Sequence, residues 1–173
     1  MPGPYYMGID GGTGSVRVMV YDGKGNNLGG QVVPYGVYHP RSGWAEQHPD
    51  EWWAALQAAV QGALKNSGVD PKDIKAVTAD ATTSTVVLLD KDKKPVRRAI
   101  MWMDVRAADQ AARIYASGHP MIEYYMSGVP AESLVPKCLW LKEVEPESWE
   151  KAETVFEYTD WLHWKLTGNI NFN

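Results

Sequence analysis

Eight consecutive residues near the start of the chain, Asp10-Gly11-Gly12-Thr13-Gly14-Ser15-Val16-Arg17, combine the groups that a metal–triphosphate needs. The three glycines permit positive φ and let the backbone come close to a ligand. Successive peptide N–H groups in such a turn form an anion-binding concavity, and the hydroxyls of Thr13 and Ser15 add donors. Asp10, at the end of an apolar run, offers a carboxylate for Mg²⁺. Arg17 adds positive charge if its strand turns it back toward the loop. There is no G-x-x-x-x-G-K-[ST], which excludes a P-loop. There is no G-x-G-x-x-G, and these glycines lead into a strand, which disfavours a dinucleotide site. The competing reading is a glycine-rich hairpin with Asp10 as a turn residue. The coincidence of Asp, two hydroxyls and Arg between apolar strands favours phosphate.

A second cluster lies further along. Residues 78–90 carry a run of small hydroxyl side chains, Thr83 and Ser84 among them, after an apolar strand. Residues 99–107 follow, in which Trp102 offers a flat apolar face, Asp104 an acceptor and Arg106 a forked donor. Apolar stacking with directed hydrogen bonds is how proteins hold sugars and polyols. Each residue alone has a plainer reading: Trp102 as core, and Asp104 with Arg106 as a surface ion pair.

The elements that must position these residues follow from periodicity. Strands are expected at residues 5–9, 16–21 and 28–38, joined by tight turns into a meander. A helix starts near Pro49, with Asp50 and Glu51 complementing its dipole, and stops at residues 66–68. Residues 74–79 read as a buried strand, 86–89 and 99–103 as two more, and 107–116 as a helix. Residues 135–144 read as a helix with Pro136 in its first turn. Residues 155–158 read as a strand, and 159–166 as a helix capped by Thr159 or Asp160. This order predicts an α/β domain with a mixed sheet flanked by helices.

Composition narrows the class. Of 173 residues, 17 are Lys or Arg and 21 are Asp or Glu, a net charge of −4. That balance argues against broad binding to nucleic acid or an anionic membrane. The one cysteine, Cys138, excludes a disulfide framework within the chain and multi-cysteine zinc sites, and reads as a small buried side chain. No apolar run approaches the ~20 residues of a membrane helix, and glycines with Asp10 interrupt any signal-peptide core. The expected address is the cytoplasm. His39, His48, His119 and His163 show no metal-ligand spacing.

The segment from Met7 to Val18 resembles the first phosphate hairpin of the actin-like ATPase superfamily, whose members include actin, heat-shock chaperones, hexokinases and the FGGY carbohydrate kinases. The W-x-D-x-R pattern at Trp102–Arg106 resembles the FGGY kinases in particular. So do Glu132-Ser-Leu-Val-Pro-Lys137 and Asp160-Trp-Leu-His-Trp-Lys-Leu-Thr-Gly168. The resemblance implies an actin-like ATPase (ribonuclease H-like) fold and an enzyme that phosphorylates a small-molecule sugar from ATP and Mg²⁺. Xylulokinases typically carry Gly-Gln-Met-His, and glycerol kinases Asn-Gln-Arg-Glu, where this chain has Ala81-Thr82-Thr83-Ser84. The chain looks most like ribulokinases, so ribulose is the favoured substrate, with xylulose or a polyol such as glycerol as alternatives. An actin- or chaperone-like ATP-driven module without a sugar substrate is the competing class.

Carried over residue by residue, the resemblance implies that Gly11, Gly12, Thr13, Gly14, Ser15 and Arg17 meet ATP phosphates and Asp10 the metal. It gives Thr83, Ser84, Trp102, Asp104, Glu132 and Lys137 to the sugar, with Arg106 bracing Asp104. It places the catalytic base, an Asp, downstream of residue 173, together with most of the adenosine pocket. Residues 1–173 are thus expected to be the N-terminal part of the first kinase domain, able to fold but inactive alone. Apolar surface exposed by the missing remainder would favour a homo-oligomer.

Overall fold

Alternating valines make one face of a strand apolar, and the computed structural model, which describes residues 3–124 and 128–170, buries Val16, Val18 and Val20 together. They belong to β2 (Ser15–Tyr21), which pairs antiparallel with β1 (Tyr5–Gly11) and β3 (Asn27–Pro34). This is the expected meander. β3 ends four residues before the expected 38, and Tyr38 instead makes an isolated bridge to Glu46.

α1 (Pro49–Ser67) has Pro49 at its first turn and ends at Gly68, whose φ of 67° favours a residue without Cβ. Its buried face, with Trp52, Leu56, Ala59 and Ala63, packs against the β1 and β2 interior residues. The chain then enters β5 (Ile74–Ala81) through a single 3₁₀ turn at Pro71–Asp73. β5 runs parallel to β1, so the sheet order is β3-β2-β1-β5 and the sheet is mixed, as expected. The expected burial of this strand is corrected. β5 is last in that order, paired along one edge, and Lys75, Ala76, Val77 and Thr78 are exposed.

A second sheet has the order β4-β7-β6-β8, from β4 (Glu46–Gln47), β6 (Val86–Leu89), β7 (Ala99–Ile100) and β8 (Thr154–Glu157). All four residues of β6 are buried. Val87 and Leu89 join the core under α1, while Val86 and Leu88 join a second core with Ala107, Trp140 and Leu141. Period-two alternation thus lets one short strand serve two cores. β7 is shorter than the expected 99–103 because the chain turns at Trp102.

The helices are α2 (Ala108–Ala116), α3 (Leu134–Val144), α4 (Pro146–Lys151) and α5 (Tyr158–Thr167). α3 carries Pro136 in its first turn, as predicted. α4, β4 and the 3₁₀ turns at Pro71–Asp73 and Pro120–Tyr124 were not foreseen, being too short for a periodic signal. The cap of α5 is Glu157, not Thr159 or Asp160. Asp160 reaches back to accept from the Glu157 amide at 3.1 Å, closing a capping box. The expected polar stretch 169–173 lies partly outside the described residues.

Candidate functional site

β1 and β2 stop at Gly11 and Ser15, leaving residues 12–14 as the turn. None of Gly11, Gly12 and Gly14 adopts positive φ, which corrects the expectation drawn from their type. Gly11 is needed for close approach instead. A Cβ there would sit 2.9 Å from the Tyr158 ring, itself stacked on Trp52 with centroids 3.9 Å apart. Tyr35 braces the turn from beneath. Its hydroxyl reaches the Gly12 carbonyl and, at 3.1 Å, that of Ser15, while its amide donates to Gly14 O at 3.1 Å. Burial pushes the Tyr35 phenol up to about 12 and drives that of Tyr158 higher still, so both remain neutral props. Gln47 Nε2 donates to the Thr13 carbonyl at 2.8 Å.

Asp10 and Arg17 are register partners across the hairpin, and Arg17 Nη1 donates to Asp10 Oδ2 at 2.7 Å. Their side chains are 56% and 49% exposed. Such a screened pair contributes about 0–1 kcal/mol, so either partner is free to exchange it for a ligand. On the other side, Asp10 is in parallel register with Asp80 of β5, also exposed. Two carboxylates therefore end adjacent strands beside the turn. Mg²⁺ favours one or two carboxylates completed by phosphate oxygens and water, and Asp10 with Asp80 fits that requirement. Among the described residues no group of three or more His, Cys, Asp or Glu side chains could form a cage by itself.

The hydroxyl loop follows β5 directly. Thr83 is exposed and lines a cleft of about 400 Å³ with Asp80, Glu157 and Thr159. Ser84 is partly buried with φ 56°, a left-handed conformation that costs a non-glycine residue roughly 1–2 kcal/mol. Lys137 offsets that cost. Its ammonium donates to Ser84 O at 2.8 Å, Met101 O at 2.8 Å and Trp102 O at 3.2 Å, and also to Glu132 O. The side chain is fully buried, which pushes the amine down to about 8 against the pull of Asp104, Glu132 and Glu157. Glu132 itself is exposed.

Asp104 is fully buried as well. Oδ2 accepts from the Ala45 amide at 2.6 Å, and Arg106 forks onto the carboxylate through Nε and Nη2 at 2.9 and 2.8 Å. Arg106 also donates to the buried Glu46 at 2.9 Å and lies 3.7 Å over the Trp44 ring. Trp102 keeps 40% of its surface exposed, and its indole Nε1 donates to Thr13 Oγ1 at 3.1 Å. The structure thus brings Asp10, Thr13, Trp102 and the Ser84 loop together. It sets Asp104 and Lys137 behind them, with no side-chain surface presented to a cleft. Tyr35, Gln47, Glu46, Asp80 and Tyr158 were missed as parts of the site. Of these only Asp80 carried a signal, as an acid ending an apolar run like Asp10.

Residues 5–173 match the family model for the FGGY family of carbohydrate kinases, N-terminal domain. The chain is 37% identical over 177 residues to an FGGY carbohydrate kinase domain-containing protein of Homo sapiens, covering 96% of this chain and 32% of that one. It is 32% identical over 167 residues to a xylulose kinase of Lactococcus lactis, covering 96% and 33%. The crystal structure of a xylulose kinase from Brucella ovis superposes with a TM-score of 0.87 at 26% identity, covering 95% of this chain and 34% of that one. The chain spans about a third of the length of the relatives it matches.

Proposed function

Since the chain belongs to the FGGY family of carbohydrate kinases, we propose that it is the N-terminal part of an enzyme that transfers the terminal phosphoryl group of ATP to a hydroxyl of a ketopentose, ribulose before others. The observation that carries this reading is adjacency: the Asp10–Arg17 turn and the Trp102 loop meet through one 3.1 Å hydrogen bond. A phosphate held by the turn and a sugar lying on the indole would then be neighbours. Phosphoryl transfer asks chiefly for such positioning and for charge neutralisation. Bound Mg²⁺ supplies the neutralisation, and Asp10, with Asp80 beside it, would hold it. Thr13, Ser15, Arg17 and the Gly14 amide orient the phosphates. Gly11 and Gly12 shape the turn, since the Gly12 amide donates to the Ser15 carbonyl at 2.9 Å and the Gly11 carbonyl accepts from the Thr82 amide at 3.2 Å.

Thr83, Ser84, Glu132 and the Trp102 face line the sugar side, while Asp104 and Lys137 hold the lining in place. The base that takes the sugar's proton, an Asp, would come from downstream of residue 173, and most of the adenosine pocket from a second domain. A cytoplasmic address suits both ATP and a sugar. No helix among the described residues is long and apolar enough to cross a membrane.

Ribulose rests on Ala81-Thr82-Thr83-Ser84 and Glu132–Lys137; xylulose is the second reading, favoured by the likeness to the Lactococcus lactis xylulose kinase. The test is ADP release by the full-length protein with ribulose, xylulose and glycerol in turn. Ribulose is expected to give the highest kcat/KM. ATP turnover indifferent to every sugar and polyol would overturn the reading in favour of a sugar-independent ATPase.

A further inference from the structure

We infer that Trp102, beyond offering its face to a sugar, orients the Thr13 hydroxyl as a phosphate donor, so that one indole serves both halves of the site. The inference rests on the sugar-kinase reading above. An indole N–H can only donate, so in the 3.1 Å contact between Trp102 Nε1 and Thr13 Oγ1 the hydroxyl accepts. A hydroxyl has one proton and two acceptor positions. With an acceptor position taken by the indole, its proton is directed elsewhere.

The oxygen that carries this proton is held at both ends of its residue. The Thr13 carbonyl accepts from Gln47 Nε2 at 2.8 Å, and the buried Gln47 in turn accepts from Trp52 Nε1 at 3.2 Å. Next along the chain, a Cβ at Gly14 would meet nothing within 4 Å, so the space beside Thr13 is open to a ligand. Accepting a hydrogen bond also strengthens the one that the hydroxyl donates.

The indole is anchored from its own backbone. The Trp102 amide donates to Thr85 Oγ1 at 3.1 Å, and its carbonyl accepts from Lys137 Nζ at 3.2 Å. With 40% of the residue exposed, ring surface remains for stacking. Trp102 is therefore a positioning residue for phosphate.

The test uses the full-length protein and Trp102→Phe, which keeps a flat ring and deletes the N–H. The expected result is a roughly 3- to 10-fold loss in kcat/KM for ATP, the size of one hydrogen bond, with a smaller change in sugar KM. Thr13→Val removes the acceptor, and Trp102→Phe added to it should cost no further ATP efficiency. A purely structural role would instead make the two losses add. Wild-type ATP kinetics in Trp102→Phe, or full additivity, would overturn the inference. Calorimetric binding of a non-hydrolysable ATP analogue with Mg²⁺, without sugar, separates this from the parent reading. If no sugar is phosphorylated but Trp102→Phe still weakens the analogue 3- to 10-fold, the inference about Thr13 survives alone. Equal affinity in wild type and variant overturns it whatever the substrate.

Discussion

In the turn from Asp10 to Arg17 the charged side chains face solvent and the backbone is held from behind by Tyr35 and Gln47. Around Trp102 the arrangement is reversed, because the Asp104, Arg106 and Lys137 side chains are buried and make their hydrogen bonds to backbone, to one another or to the buried Glu46. The first region keeps its charges cheap to re-pair, as a site for a charged ligand requires. The second uses charge as scaffold. Chemistry-bearing residue types are the same in both, and burial separates their roles.

The comparison can be broken first at Asp10. Asp10→Ala in the full-length protein should lower kcat by roughly 10²–10³-fold, the scale of losing an electrostatic anchor. Stability should move by no more than about 1 kcal/mol, since the lost ion pair is exposed. Steady-state kinetics beside a denaturation curve checks both, and an Asp10→Ala enzyme with normal turnover would remove the turn from the site.

Lys137→Met should do the opposite, costing about 3 kcal/mol of stability by leaving buried carbonyls without a donor. Sugar KM should rise, and ATP KM should rise less, because the Trp102 carbonyl loses its Lys137 donor. The pH dependence sharpens this. Burial holds the amine at about 8 against 10.5 when free, so between those values the unfolded chain carries a proton that the fold has lost. Stability from this group therefore rises from pH 8 to 10.5, by up to about 3 kcal/mol, and is fully reduced below pH 8. Unfolding midpoints of wild type against variant across that window should show the wild type gaining; parallel curves would return Lys137 to solvent.

A smaller effect is expected at Gly11. The Cβ of Gly11→Ala would press on a Tyr158 ring that Trp52 backs, costing about 1–3 kcal/mol. An unchanged melting temperature would mean that the turn is not braced from beneath. The smallest effect concerns Cys138, whose thiol is pushed up to about 11 by burial. Alkylation at pH 8 should be slow, and faster in Lys137→Met if the ammonium holds this region closed.

Much of the fold was legible. The valine alternation located β2, the Pro49–Asp50–Glu51 start and Gly68 stop bounded α1, and Pro136 entered the first turn of α3 as expected. Exposure of β5 was not legible, since its composition matches that of a buried strand and only its place at the end of the sheet order leaves it uncovered. The turn from Asp10 to Arg17 stood out in the sequence because its groups are neighbours along the chain. Its props could not, as Tyr158 reaches Gly11 from the far end of the chain.

By itself the sequence determined the meander, the bounds of α1 and the location of the turn, because period, caps and turn residues act over a few positions. Tertiary structure alone decided that Lys137 and Asp104 lie inside, that Ser84 is held left-handed and that Trp102 meets Thr13. The physical reason is that a charge is buried only where enough partners converge on it. The partners of Lys137 come from residues 84, 101, 102 and 132, and those of Asp104 from 45 and 106, brought together by packing rather than by spacing.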